Sequence, residues 1–291
     1  MVWTLSSDVD EYVAAAGRLL ESDPERHTIS LTVIPGARER EQPLDPPEVF
    51  AWWTGSDGEV TGTASITPPW PLLVETMPDN AIRPLVEALR SNPDLSVTGV
   101  NGPTDLAASI AVVWRAATGQ RAVVHDAIRL FRLGEIRPPA VFPPGSSRVA
   151  NEADVPLLVD WFTRFSEEVH GPLVRVEENV RQRIQFGSVK IWCDDDGAAV
   201  SIAGHAVPAA GVARVGPVFT PREHRGRGYA GAITHAVSEQ LLEKGLRAVL
   251  FTDQANPTSN ALYMRLGYVP VTDRLALHFE QSQDSATGQV P

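Results

Sequence analysis

Two hydrophobic periodicities alternate along this chain and predict where its helices and strands lie. Apolar residues that recur every three or four positions indicate amphipathic helices, and short alternating or continuous apolar runs indicate strands. The predicted helices are 8–21, 82–90, 104–117, 154–168, 176–186, 227–244 and 257–266. The predicted strands are 28–34, 49–54, 60–67, 72–77, 95–100, 123–133, 189–193, 198–207, 212–219, 247–252, 268–271 and 275–279.

The two halves of the chain show a similar order of helices and strands. Residues 137–147 are rich in proline, which stiffens the backbone and removes hydrogen-bond donors, so we interpret them as an interdomain linker. Residues 97–104 and 250–258 both run from a strand through Asn to Pro-Thr and a helix, which supports a repeat. We predict domains over 1–136 and 148–280, and a disordered polar tail over 281–291.

Composition and charge limit the classes of function. With 43% hydrophobic and 21% charged residues, the chain is typical of a soluble globular protein. Its formal charge of −11 argues against nucleic acid or an anionic membrane as a partner. No leader or membrane-length apolar segment stands out, so we expect a cytoplasmic protein. Cys193 is the single cysteine, which excludes an internal disulfide, and we predict no metal site.

A basic turn that contains glycine follows the strand 212–219 and opens the helix 227–244. The first N–H groups of a helix have no partner within the helix, and the helix dipole makes this end attractive to anions. Gly226 and Gly228 let an anion approach the backbone, and Arg222, Arg225 and Arg227 add positive charge. The pattern predicts a diphosphate site. The alternative is a surface loop that carries arginines without binding an anion.

Two motifs in the second half resemble those of the GNAT acetyltransferase superfamily. Arg225, Gly228 and Ala230 fit the Arg/Gln-x-x-Gly-x-Gly/Ala pattern of its pyrophosphate loop. Residues 250–271, which carry Asn-Pro, a second Asn, Tyr and Leu-Gly-Tyr, resemble its second motif. The resemblance covers 212–271 and extends over 148–280. It implies an α+β protein of two tandem GNAT-like domains, each with a mixed, mostly antiparallel twisted sheet flanked by helices, and acetyl-CoA as the cofactor.

The resemblance also implies which residues bind the cofactor. Two strand residues would offer backbone groups to the pantetheine arm. Residues 225–231, which we call the glycine loop, would hold the diphosphate, and two asparagines would complete the site. The turn before Arg225 is one residue longer than the family's commoner form, so the resemblance gives the position of the two strand residues to within one residue. The implied residues are Val218, Phe219, Arg225, Gly226, Arg227, Gly228, Tyr229, Ala230, Gly231, Asn256 and Asn260.

Tyr263 is the candidate catalytic residue, because in the family this tyrosine lies near the thioester sulfur. A phenol with a pKa near 10 is protonated at neutral pH and can donate its proton to a departing thiolate, so we propose Tyr263 as the general acid. The alternative is a buried tyrosine with a purely structural role. No general base is assigned. Glu168, His170 and His205 are expected near the acceptor amine, although most such residues are surface or structural.

The first half lacks the glycine loop at the matching point. Residues 77–83 contain no glycine, and Asp79 would repel a diphosphate, so we predict that this half does not bind acetyl-CoA. The predicted function is N-acetylation of a small-molecule or peptide amine by direct attack on the thioester, in a monomer or homodimer. The alternatives are a silent acyl-CoA-binding module, an enzyme similar to mycothiol synthase, and a nucleotide-binding protein.

Overall fold

The computed structural model describes residues 1–40, 44–169, 171, 173 and 175–281. The chain forms two compact units. The first contains Met1–Arg129 together with residues from Thr272 onward, and the second contains Leu130–Val271. Residues 282–291 of the predicted tail lie outside the described residues.

The described residues form helices and strands that are mixed along the chain. The helices are α1 (Val9–Ser22), α2 (Thr28–Arg38), α3 (Asp79–Arg90), α4 (Thr104–Thr118), α5 (Val155–Glu168), α6 (Val176–Gln185), α7 (Tyr229–Glu243) and α8 (Pro257–Arg265). The strands are β1 (Val2–Ser6), β2 (Val49–Thr54), β3 (Val60–Ile66), β4 (Leu72–Thr76), β5 (Gly99–Pro103), β6 (Arg121–Leu133), β7 (Ser146–Val149), β8 (Val189–Cys193), β9 (Ala199–His205), β10 (Val212–Phe219), β11 (Arg247–Asp253) and β12 (Tyr268–Glu280).

The first unit is built on strands in the order β1-β2-β3-β4-β5-β12. Neighbouring strands are antiparallel except β4 and β5, which run parallel. Helices α3 and α4 bury their apolar stripes against this sheet, and removing that apolar surface from water stabilises the unit. Representative core residues are Trp53, Val74, Leu85, Val100 and Ile110.

The second unit repeats this plan with strands in the order β7-β8-β9-β10-β11-β6. Here β10 and β11 are the parallel pair, and β9 lies antiparallel to β10. Residues Val215 and Phe219 of β10 point to opposite faces: Val215 packs with α7, and Phe219 packs with α5. The α+β class, with mixed and mostly antiparallel sheets flanked by helices, is therefore confirmed.

The structure corrects one predicted strand. Residues 28–34 begin a helix, α2, that continues to Arg38. The segment is rich in β-branched residues, whose strand preference is weak and yields to tertiary packing. Leu31, Ile34 and Ala37 are buried at helical spacing, so the apolar face of the segment follows the helix period.

Other predicted elements shift or merge. Residues 95–98 lie before β5 instead of within it, and 268–271 and 275–279 form one strand. Strands β1 and β7 were not predicted, because each is a short edge strand with few buried residues. The remaining predicted helices and strands have the predicted type, with ends that differ by a few residues.

The domain limits also differ from the prediction. Residues 137–147 lie within the second unit, where Phe142 packs on Trp192 and His235, and 146–147 belong to β7. The C-terminal part of β12 belongs to the first unit, because it pairs with β5 from Arg274 to His278. The proline-rich segment therefore does not mark the boundary between the units. β6 precedes it but lies beside β11 of the second unit, and β12 follows it but lies beside β5 of the first unit.

Candidate functional site

The two parallel strands of the second unit, β10 and β11, stop pairing before their ends, and we call the region between their unpaired ends the V-shaped gap. β10 and β11 pair from Val212/Arg247 to Val215/Leu250. Beyond that point their ladder ends within the described residues, although β10 continues to Phe219 and β11 to Asp253. Backbone groups along the facing strand edges are therefore available to a ligand that enters the gap.

A bulge in β10 starts the divergence. The register between β10 and β9 shifts between Val215 and Val218, and a bulge bends a strand and increases its twist. Arg183 of α6 holds this point, because its Nη1 donates to the carbonyls of Gly216, at 2.8 Å, and His205, at 2.9 Å. Burial, and then the positive charge of Arg214, lowers the pKa of Arg183 to about 10, so the side chain stays protonated at neutral pH.

The glycine loop follows β10 and ends at the first turn of α7. Gly226 and Gly228 have φ angles of +75° and +87°, a left-handed conformation that favours glycine. The backbone N–H groups of 226–231 have no hydrogen-bond acceptor within the described chain. A Cβ placed on Gly226 would meet no protein atom within 4 Å, so the loop leaves open space above its backbone. This arrangement suits an anion.

Arg225 is held on two sides. Its Nε donates to the carbonyl of Thr220 at 2.8 Å, and its Nη2 lies 2.7 Å from both carboxylate oxygens of Glu168. The guanidinium thus connects the C-terminal end of α5 to the loop. Arg225 therefore shapes the loop, and its charge is already partly neutralised by Glu168.

Helix α8 packs closely on the start of α7. A Cβ on Gly231 would lie 3.1 Å from Leu262 Cδ1, so this glycine permits the close approach. The Asn256 side chain caps α8 by accepting from the Ser259 N–H, and Asn260 Nδ2 donates to the carbonyls of Asp253 and Asn256. Asn260 Oδ1 is buried and has no partner within the described residues.

Tyr263 lies on α8 in the same core cluster as Val215 and Leu250, which form the last paired step before the V-shaped gap. Burial raises its pKa to about 12, so the phenol keeps its proton at neutral pH. Its hydroxyl has no hydrogen-bond partner in the described part of the chain, whereas the hydroxyl of neighbouring Tyr268 lies 2.7 Å from Ser238 Oγ. The Tyr263 proton is therefore not committed to another side chain.

The three residues expected near the acceptor have different positions. Glu168 is on the exposed end of α5 and is engaged by Arg225. His205 is buried and pairs with Val215, so its side chain lies on the same face of the sheet as Val215, toward α7. Burial is the main cause that lowers its pKa. Its Nε2 is enclosed without a partner in the described residues. His170 lies outside the described residues.

Comparison with known proteins gives a family match that lies mostly in the second unit. The model of the family described as FR47-like protein matches residues 198–276, which include the V-shaped gap, the glycine loop and α8. No curated protein matches the chain.

Solved structures match almost the whole chain. A GNAT-family acetyltransferase from Colwellia psychrerythraea has a TM-score of 0.60 at 10% identity, with 96% of this chain and 99% of that chain covered. The chain has the GNAT fold. A GCN5-related N-acetyltransferase from Sphaerobacter thermophilus has a TM-score of 0.60 at 18% identity, covering 96% and 95%. A tandem GNAT protein from the clavulanic acid biosynthesis pathway has a TM-score of 0.59 at 15% identity, covering 96% and 98%.

In the first unit, the ladder between β4 and β5 also stops before the strands end, at Leu73/Asn101. A Cβ on Gly102 of β5 would lie 2.4 Å from Val74 Cγ2 of β4, so the two strands stay close together. The guanidinium of Arg274 donates to the Val74 carbonyl at 3.3 Å and lies 2.5 Å from the Glu75 carboxylate. These contacts occupy the region beyond the last pair of β4 and β5.

Two features of the candidate site were not predicted from the sequence. Arg183 is distant in sequence from β10 and carried no recognisable motif. Arg164 places its guanidinium 5.3 Å from the centre of the Phe219 ring. Its position on the predicted helix 154–168 was the only feature of the sequence that could have indicated this contact. Among the described residues, no helix combines the length and apolar character needed to cross a bilayer, and no group of three acidic, His or Cys side chains is arranged around a metal position.

Proposed function

We propose that the second unit is an acetyl-CoA-dependent N-acetyltransferase that acts on the primary amine of a small molecule or peptide. The observation that carries the proposal is the row of unpartnered N–H groups at 226–231, placed directly after the strand that borders the V-shaped gap. Such a row, at the positive end of the α7 dipole, is suited to the two linked phosphates of coenzyme A.

The residues of the gap fit the rest of the carrier. The unpaired edge of β10 at Val218 and Phe219 offers backbone groups to the amides of the pantetheine arm. The buried, unpartnered Oδ1 of Asn260 is an acceptor that an amide N–H of the same arm would satisfy. An acceptor left unsatisfied inside a protein carries a desolvation penalty of about 1–3 kcal/mol, which a bound donor removes.

Bound acetyl-CoA supplies an acetyl group activated as a thioester. Tyr263 holds a proton at Oη that is available to a departing sulfur, because its raised pKa keeps the phenol protonated. A backbone N–H near Phe219 is suited to stabilise negative charge on the acetyl oxygen. The strands and α8 hold the reacting groups in place, and positioning alone supplies a large part of such a rate enhancement.

The test is release of free thiol from acetyl-CoA in the presence of a panel of primary amines. We expect turnover with at least one amine, and a loss of about 100-fold or more in kcat for Tyr263→Phe, with little change in cofactor affinity. Tyr268→Phe is the matched control: it removes a buried hydroxyl of the same cluster, and we expect near-normal kcat.

The same experiment separates the proposal from a silent acyl-CoA-binding module. A binding module would show tight coenzyme A binding, no thiol release with any amine, and unchanged binding in Tyr263→Phe. Equal kcat for the two tyrosine variants would remove Tyr263 from the proposed chemistry. A larger thermal shift with ATP than with coenzyme A would instead favour a nucleotide-binding protein.

A further inference from the structure

A cavity with a volume of about 460 Å³ lies in the second unit beside the C-terminal end of α5. Four charged side chains line it: Arg164, Glu167, Glu168 and Arg222. Three of these residues are on α5, and Arg222 follows β10 just before the glycine loop. The cavity is within the size range of small-molecule sites.

Two of the four side chains have hydrogen-bonding capacity that the protein does not use. Arg222 is 80% exposed, and its nearest carboxylate, Glu168, is 3.7 Å away, which is beyond hydrogen-bond length. Glu167 has no ion-pair partner among the described residues. Glu168, in contrast, is engaged at 2.7 Å by Arg225. The cavity therefore presents one available guanidinium and one available carboxylate.

The cavity adjoins the end of the strand that borders the V-shaped gap. Arg164 lines the cavity and lies over the ring of Phe219, the last residue of β10. The Arg164 side chain therefore contacts both the cavity and the end of β10. This position suits an acceptor that extends from the cavity toward the gap.

We propose that the acceptor carries both an amine and a carboxylate, as an amino acid or a peptide terminus does. The inference rests on the proposed N-acetyltransferase function. Arg222 would bind the carboxylate through its free N–H groups, and Glu167 would attract the ammonium group. A ligand with two or more ammonium groups and no carboxylate fits poorly, because Arg164 and Arg222 would repel its second cation.

Matched acceptors test this inference. For each of several amino acids, thiol release from acetyl-CoA is measured with the acid, with its carboxamide and with the decarboxylated amine. We expect kcat/KM for the acid to exceed that of both analogues by about tenfold or more, because only the acid can form a bidentate ion pair with Arg222. Arg222→Gln should remove most of this preference, so that kcat/KM for the acid falls toward that of the amide measured with the same variant.

Arg132→Gln is the control variant, since it removes an exposed arginine from β6, which is separated from β10 by β11. It should keep the preference for the acid. Equal kcat/KM for acid and amide would overturn the inference while thiol release upheld the acetyltransferase function. A preference that survives Arg222→Gln would also overturn it, and absence of thiol release with every acceptor would reject both proposals.

Discussion

The buried ion pair of the first unit leads to a quantitative prediction for Arg274→Met. Arg274 Nη1 lies 2.5 Å from Glu75 Oε2, and both side chains are 1% exposed. The same guanidinium donates to the Val74 carbonyl and to Asn101 Oδ1, and Glu75 also accepts from the Ser30 hydroxyl at 2.9 Å. Methionine would fill much of the space and leave the Glu75 charge buried without a cation.

Removing one partner of a buried pair destabilises a protein by about 3–5 kcal/mol, because the remaining charge is uncompensated. For a unit of roughly 150 residues, each kcal/mol corresponds to about 2–4 °C, so we expect the melting temperature to fall by roughly 10 °C. Calorimetry measures the melting temperature. Tryptophan fluorescence reports mainly on the first unit, because it contains five of the seven tryptophans: Trp3, Trp52, Trp53, Trp70 and Trp114.

Arg121→Met is the matched control. Arg121 Nη2 lies 2.7 Å from Glu280, a residue of β12 like Arg274, but these side chains are 54% and 46% exposed. An exposed pair contributes about 0–1 kcal/mol, so this variant should melt near the wild-type temperature. The double variant Glu75→Met with Arg274→Met should recover part of the loss, because no charge remains buried. Similar melting temperatures for Arg274→Met and Arg121→Met would refute the reasoning.

Two further predictions concern the second unit. Burial lowers the pKa of folded His205 below the ordinary value of about 6.5, so the unfolded chain takes up the proton first on acidification. Stability should therefore fall as pH drops below about 6.5, by at most about 1.4 kcal/mol per pH unit. In pH-dependent denaturation, His205→Asn should reduce this dependence of stability on pH. An unchanged dependence would contradict the assignment. Gly231→Ala gains the helix propensity of alanine, about 0.5–1 kcal/mol, but places a methyl group 3.1 Å from Leu262 Cδ1, which must shift slightly; we therefore expect a smaller gain in stability than for Gly36→Ala, measured by denaturation. Gly36→Ala, which meets no atom within 4 Å, should not destabilise the protein.

Local pattern was sufficient for most of the fold. The helix after the glycine loop and the strands β8 and β10 follow from their periodicity, because each has one clear apolar face or a continuous apolar run. α2 was mistaken for a strand because its β-branched residues favour a conformation that packing overrides. The proline-rich segment was mistaken for an interdomain linker, because composition does not reveal that Phe142 packs on Trp192.

The candidate site was partly accessible from the sequence. The glycines of the loop and the helix that begins after them are local features, so their left-handed φ angles agree with the motif. The contacts of Glu168 with Arg225 and of Arg183 with Gly216 join residues 57 and 33 positions apart. Such pairings depend on how α5 and α6 pack on β10, which periodicity alone does not determine.

The most direct test of the diphosphate site compares coenzyme A binding to Gly226→Ala and Gly211→Ala by calorimetry. Both glycines have a φ of +75°, and a Cβ on either would meet no atom within 4 Å, so the two substitutions impose similar backbone strain. Gly226 is in the loop below the free N–H groups, whereas Gly211 precedes β10 at its other end. We predict that Gly226→Ala weakens coenzyme A binding by about tenfold or more, because alanine disfavours the left-handed conformation that aligns the loop, and that Gly211→Ala binds as the wild type does. Equal affinity of the two variants for coenzyme A would contradict the account.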